Sequence, residues 1–197
     1  MRAAVLLTAL LSVGAAHAGN EFDYCLLCHG SEANGNYGIR APKLSGMEPW
    51  YLARQLENFA SGARGKVSTD AAGHEMGPVA LRLKNEGALD AAVRFIESLP
   101  SKRPPVTVRG DVARGKSLYV PCAACHGAKG EGNATLQAPA LAARSDWYLA
   151  AQLASYRDGL RGMDERDTYG AQMRAVSSML PDEKSITDVV AYINTFK

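Results

Sequence analysis

Sliding the sequence along itself by 97 residues lays Cys25-Leu26-Leu27-Cys28-His29 onto Cys122-Ala123-Ala124-Cys125-His126. The register then runs without a gap from Phe22 to Ser98, with 26 identities in 77 positions. A chain that repeats itself this closely is two copies of one unit, and each copy is too short to rely on a large core of its own. The shared positions are chemically specific as well as apolar. Pro42, Leu44 and Trp50-Tyr51-Leu52-Ala53 meet Pro139, Leu141 and Trp147-Tyr148-Leu149-Ala150, and Gln55, Arg64, Asp70 and Met76 meet Gln152, Arg161, Asp167 and Met173.

All four cysteines lie in the two C-x-x-C-H strings. That spacing suits covalent attachment of haem: both thiols form thioethers to one macrocycle, and the adjacent histidine falls beneath the iron. A zinc site shared by all four cysteines would need the pairs much closer in sequence, and a redox dithiol calls for a βαβ context that is absent. The chain is thus expected to hold two covalently bound haem c groups, through Cys25 and Cys28 and through Cys122 and Cys125, with His29 and His126 as axial ligands.

Residues 1–18 carry Arg2, an apolar run from Ala3 to Val13 and the ending Ala16-His17-Ala18, the pattern of a cleaved secretory signal. The eleven apolar residues would cover only about 16 Å as a helix, too little for a bilayer core of about 30 Å. Export through such a leader predicts a periplasmic location. Residues 19–99 form the first unit and 110–197 the second. Between them, 100–109 contains three prolines and no periodic apolar face. That segment reads as a semi-rigid linker able to span roughly 30 Å.

The periodicity is helical throughout. Pro49 as a first helical residue, Leu52, Leu56 and Phe59 on one face and Gly62 as a stop predict one helix, repeated through Leu149, Leu153, Tyr156 and Gly159. Asn85 or Asp182 is expected to cap a second helix carrying Leu89, Val93 and Ile96, or Ile186, Val190 and Ile193. Gly115–Tyr119 is a helical lead-in that the first copy largely lacks. No alternating strand pattern is present, so the expected fold class is all-α.

A low-spin haem that shuttles electrons needs a sixth ligand, and the register nominates it. Of Met47, Met76, Met163, Met173 and Met179, only Met76 and Met173 match each other, each following its histidine by 47 residues. A thioether ligand raises the potential, which suits a carrier. His74 is an alternative in the first copy alone, since its counterpart is Ala171. Pro42 and Pro139 are positioned to accept the Nδ1 hydrogens of the axial histidines or simply to shape a loop. Arg64 and Arg161 are read either as partners of haem propionates or as solvated turn residues, and Trp50 and Trp147 as core.

Read together, the paired C-x-x-C-H, Pro-x-Leu, Tyr-Leu-x-x-Gln-Leu and Gly-x-Arg strings and a methionine before the last helix resemble the dihaem class I cytochromes c of the c(4) type, over nearly all of residues 19–197. The resemblance implies two tandem cytochrome c domains, each of a few helices around one haem, with thioethers on Cys25, Cys28, Cys122 and Cys125 and axial ligands His29, Met76, His126 and Met173. It further implies a periplasmic one-electron carrier, loosely associated with the membrane surface, whose partners are a terminal oxidase or a quinol-oxidising complex. The alternative is a cytochrome subunit of a periplasmic dehydrogenase complex. No nucleophile, carboxylate dyad or open metal site marks an enzyme, and a monomer is expected.

The formal net charge of +2 excludes a nucleic-acid binder driven by bulk charge. Within that balance the linker holds three basic residues and no acidic one, while residues 19–99 hold 8 basic against 10 acidic and residues 110–197 hold 10 of each. Haem propionates would leave both halves acidic on either side of a positive strip.

Overall fold

The computed structural model describes residues 20–66 and 70–196, so the segment read as a leader, 1–18, lies outside the described residues. Within them the chain is helical, with α1 (Tyr24–His29), α2 (Pro49–Ser61), α3 (Ala71–Asn85) and α4 (Leu89–Glu97) in the first half. The second half has α5 (Val112–Leu118), α6 (Val120–His126), α7 (Asp146–Arg157), α8 (Thr168–Ser177) and α9 (Glu183–Ile193). Extended pairing among the described residues is confined to two isolated bridges, Asn36 with Ala41 and Asn133 with Ala138, which close equivalent loops.

The helix ends follow local chemistry. Pro49 opens α2 and Gly62, in the left-handed region at φ 73°, closes it, as the sequence predicts. Asp70 and Asp167 cap α3 and α8 by accepting the amides of Gly73 and Gly170, both at 3.0 Å. Asp182 caps α9 through the Ser185 amide at 2.7 Å. Asn85 does not perform the matching task. It is the last residue of α3, and α4 begins at Leu89 after a turn at Gly87, because α3 runs five residues longer than its repeat α8.

The second half packs Tyr119, Leu180, Ile186, Val189, Val190, Ile193 and Phe196 into one cluster. Three of its aromatic rings, Tyr119, Tyr192 and Phe196, meet edge to face at 5.0–5.5 Å. Helix α5 crosses α9 at Gly115, where a Cβ would stand 1.9 Å from the Asp188 carbonyl oxygen. The Asp188 carboxylate accepts from Lys184, Arg114 and the Asp111 amide, which together hold it down at about 2. In the first half Phe22 takes the register position of Tyr119 and packs with Phe95 at 6.0 Å, closing a smaller cluster with Leu83 and Ala92.

The linker is not a free spacer. Lys102 donates its amide to Asn34 Oδ1 at 2.9 Å in the first half, and Ser101 Oγ accepts from the buried Lys43 Nζ at 2.7 Å. In the second half the buried Asp146 carboxylate accepts the Thr107 amide and hydroxyl (both 2.6 Å), the Val108 amide (2.8 Å) and the Asn194 side-chain amide (3.0 Å). Burial opposes ionisation of Asp146, but these donors outweigh it and hold the carboxyl below the usual range. Its stabilising effect is therefore complete above the ordinary carboxylate range and lost as pH falls through the depressed value. The Asp146→Ala chain is expected to be about 3 kcal/mol less stable at neutral pH in denaturant unfolding, because several buried donors lose one acceptor, and to show a shallower acid limb.

Candidate haem sites

Each C-x-x-C-H string forms a short helix, α1 or α6, that ends at its histidine. Cysteines three apart share one helix face, so both thiols of each pair face the same way. No disulfide joins these cysteines; Cys28 and Cys125 are exposed, while Cys25 and Cys122 are half-buried. Burial pushes the Cys122 thiol up to about 11.

His29 and His126 are both 5% exposed. Burial lowers their pKa values, partly opposed by their bonds to a backbone carbonyl, so both are neutral imidazoles at pH 7. Those carbonyls belong to Pro42 and Pro139, each 2.7 Å from the Nδ1 of its histidine. The proline therefore does more than shape a loop: its carbonyl accepts the Nδ1 hydrogen, fixes the tautomer and leaves Nε2 with its lone pair. Two tight turns deliver that carbonyl. Gly132, at φ 82°, donates to the His126 carbonyl at 2.8 Å, and a Cβ there would stand 2.6 Å from the Ala140 amide nitrogen. Gly35 repeats the arrangement with φ 94°.

In the second half His126 Nε2 faces Met173 Sδ at 3.5 Å across an apolar cleft of about 1330 Å³, counting its open mouth. Cys122, Cys125, Leu149, Tyr156 and Val189 line it. Met173 lies on α8, six residues beyond its capping Asp167, and the Gly162–Gly170 contact sets how closely α8 approaches. Gly65 and Gly73 make the same contact before Met76 on α3. Among the described residues the one side-chain hydrogen bond of His29 is that to Pro42, and Met76 makes no counterpart to the His126–Met173 contact. His74 is exposed, and its Nδ1 donates to the Gly65 carbonyl at 3.2 Å. Pro78 lies inside α3 where the second half has Ala175, so the first methionine helix is locally less regular.

The halves meet through α2 and α7, and burial there removes one of the two readings of Arg64 and Arg161. Arg64 and Arg161 are not solvated turn residues; they are 6% and 3% exposed and sit in the interface. Arg64 donates to Gln55 Oε1 (2.8 Å), Gln152 Oε1 (2.9 Å) and the Tyr148 hydroxyl (3.0 Å). Arg161 donates to the same two glutamines, both at 2.6 Å, and to the Tyr51 hydroxyl at 3.3 Å. Trp50 and Trp147 are half-buried on the helices that meet there rather than in a core, and Trp147 meets Tyr37 of the first half edge to face at 5.5 Å.

This network tests whether the residues suit haem. Two guanidinium groups are buried side by side with no carboxylate bonded to either among the described residues, and the Nε of each has no partner. Uncompensated buried charge is costly, and the cluster calls for anions. The propionates of a haem in each half would meet that need. Burial pushes the Tyr148 phenol up, yet the two facing arginines outweigh it and the net shift is downward, which marks the same positive potential.

Comparison with known proteins agrees with this geometry. A profile of the cytochrome c family matches residues 112–197. The chain is 33% identical over 164 residues to a thiosulfate dehydrogenase electron acceptor of Stutzerimonas stutzeri, covering 78% of this chain and 72% of that one. It is 31% identical to a cytochrome c4 of Thiocapsa roseopersicina, covering 81% of each. Among solved structures it is similar to thiosulfate dehydrogenase TsdBA of Marichromatium purpuratum, with a TM-score of 0.69 and 29% identity, covering 88% of this chain but only 36% of that one. Reduced cytochrome c4 of Pseudomonas stutzeri gives a TM-score of 0.66 at 26% identity, covering 88% and 94%.

The Gly132→Ala chain is expected to lose about 1–3 kcal/mol in denaturant unfolding, since a side chain there forces both a left-handed backbone and a clash beneath Pro139. The chain belongs to the dihaem cytochromes c of the c4 type, and it carries two covalently bound haem c groups as an electron carrier.

Proposed function

We propose that this chain is a periplasmic one-electron carrier that takes electrons from a respiratory donor and passes them through two His/Met-ligated haems to a terminal oxidase or comparable acceptor. In this reading Cys25 and Cys28 hold the first haem and Cys122 and Cys125 the second. His29 with Met76, and His126 with Met173, are the axial pairs. Residues 19–99 and 110–197 are the two cytochrome c domains, joined by 100–109, and 1–18 is the export leader. The observation that carries the assignment is that His126 Nε2 and Met173 Sδ lie 3.5 Å apart in the apolar cleft that Cys122 and Cys125 also line.

Each haem would supply a reversible one-electron iron couple. The protein's share is to hold the ligands and limit rearrangement between redox states. Pro42 and Pro139 orient the imidazoles, Gln55 and Gln152 fix the arginines that face the propionates, and the apolar lining around Met173 keeps water away from the ligand pair. No helix of the described residues is long and apolar enough to cross a membrane. Exposed Leu27, 80% accessible beside Cys28, is an apolar contact at the edge of the first haem site.

The experiment is a haem-to-protein ratio with a redox titration of the purified chain. Two covalent haems with two positive potentials are expected. Met173→Ala should leave both haems attached but lower the second potential and open that iron to carbon monoxide, and Met76→Ala should do the same at the first. Unchanged potentials in either variant would remove that methionine from the ligand set.

A second reading is favoured by the relatives named as thiosulfate dehydrogenase electron acceptors and by the similarity to TsdBA. In it the chain is the electron-accepting cytochrome of a periplasmic dehydrogenase. Thiosulfate with a thiosulfate dehydrogenase should then reduce this chain rapidly at stoichiometric concentration, and very slow reduction would favour the free carrier.

A further inference from the structure

Helix α2 is repeated as α7, but Arg54 has no counterpart, for the register sets it against Ala151. Arg54 reaches across the interface into the second half. Its Nη1 donates to Gln137 Oε1 and its Nη2 to the Gln137 carbonyl, both at 3.0 Å, and its guanidinium lies 4.5 Å from the centre of the Tyr169 ring. Trp50 and Tyr51 flank it at 5.1 and 5.5 Å. Arg54, Gln137 and Tyr169 all line the cleft that contains His126 and Met173. Neither partner is repeated either: Gln137 corresponds to Arg40 and Tyr169 to Ala72.

The charge of Arg54 is uncompensated. Its partners are a neutral amide and three rings, no carboxylate pairs with it among the described residues, and its Nε is buried without a partner. Arg144, another interface arginine from outside the repeat, lines the same cleft but pairs with Glu48 at 3.4 Å. Arg64 and Arg161 are related by the repeat and act on both halves alike. On the mirrored side stand Ala151, Ala72 and the exposed Arg40, whose charge is screened by solvent.

We propose that Arg54, a side chain of the first half, is a positioning residue for the second haem that raises that haem's reduction potential alone. Reduction adds an electron, and a fixed cation in a site of low dielectric stabilises it more than it would in water. Through Gln137 and Tyr169 the same side chain also fixes one wall of the second cleft. An electron shared between the halves is thereby biased toward the second.

The inference rests on the dihaem reading, and its test keeps the two apart. The holoprotein, Arg54→Gln and Arg54→Lys are titrated while the haem methyl resonances of each site are followed by NMR. In Arg54→Gln the equilibrium constant for transfer from first to second haem is expected to fall about tenfold, a shift of about 59 mV for a one-electron couple, with the first potential unmoved. Arg54→Lys should retain most of the bias. An unmoved second potential, an equal shift at both sites, or a loss in Arg54→Lys as large as in Arg54→Gln would overturn the proposal. The reciprocal chain, Arg40→Gln with Ala151→Arg, serves if Arg54→Gln does not load fully. It should raise the first potential, and no rise there would count equally against the proposal. A haem-to-protein ratio other than two in the unaltered chain would instead sink the dihaem reading.

Discussion

Two guanidinium groups held side by side between the halves impose the constraint around which the molecule is arranged. Arg64 and Arg161 share Gln55 and Gln152 as acceptors, so each half supplies one arginine and one glutamine to a single symmetric cluster. Buried cations without carboxylates are tolerated only where anions complete the set. The interface and the haem sites are in that sense linked: propionates of haems in the two halves would supply the anions that Arg64 and Arg161 lack where the halves meet.

Symmetry at the centre makes the departures at the edges informative. Lys43, Met47, Glu48 and Arg54 on the first side face Ala140, Arg144, Ser145 and Ala151 in the register. Glu48 accepts the Ala140 amide at 2.7 Å and pairs with Arg144, and Lys43 is fully buried beneath the linker, where burial and the nearby Arg144 bring its ammonium down to about 8. The duplicated unit thus became two different sites in part through a handful of charged substitutions at the surface the copies share. The first methionine helix departs further, with His74 and Pro78 on either side of Met76.

Much of this was legible in the sequence because it rests on local rules. The haem-binding strings, the α2 boundaries from Pro49 to Gly62 and the Asp182 cap all follow from spacing and short-range geometry. Asn85 misled because helix length is set by packing: α3 continues against α2 where α8 stops. For Arg64 and Arg161 the sequence left propionate partners and solvated turn residues both open, and only the approach of the other half buries them. The linker's prolines indicated stiffness, but not that Asp146 would collect four donors from it and from Asn194.

The sequence by itself determined the repeat, the all-α class, the number of haems and the residue types able to hold them, because covalent attachment and helix periodicity are written over a few residues at fixed intervals. Only the tertiary structure decided how the halves face one another, which arginines lose their solvent and which side chain of one half enters the cleft of the other. Those outcomes depend on contacts such as that of Arg54 with Gln137, made by residues 83 apart in the chain, and no local pattern encodes which distant surfaces will exclude water together.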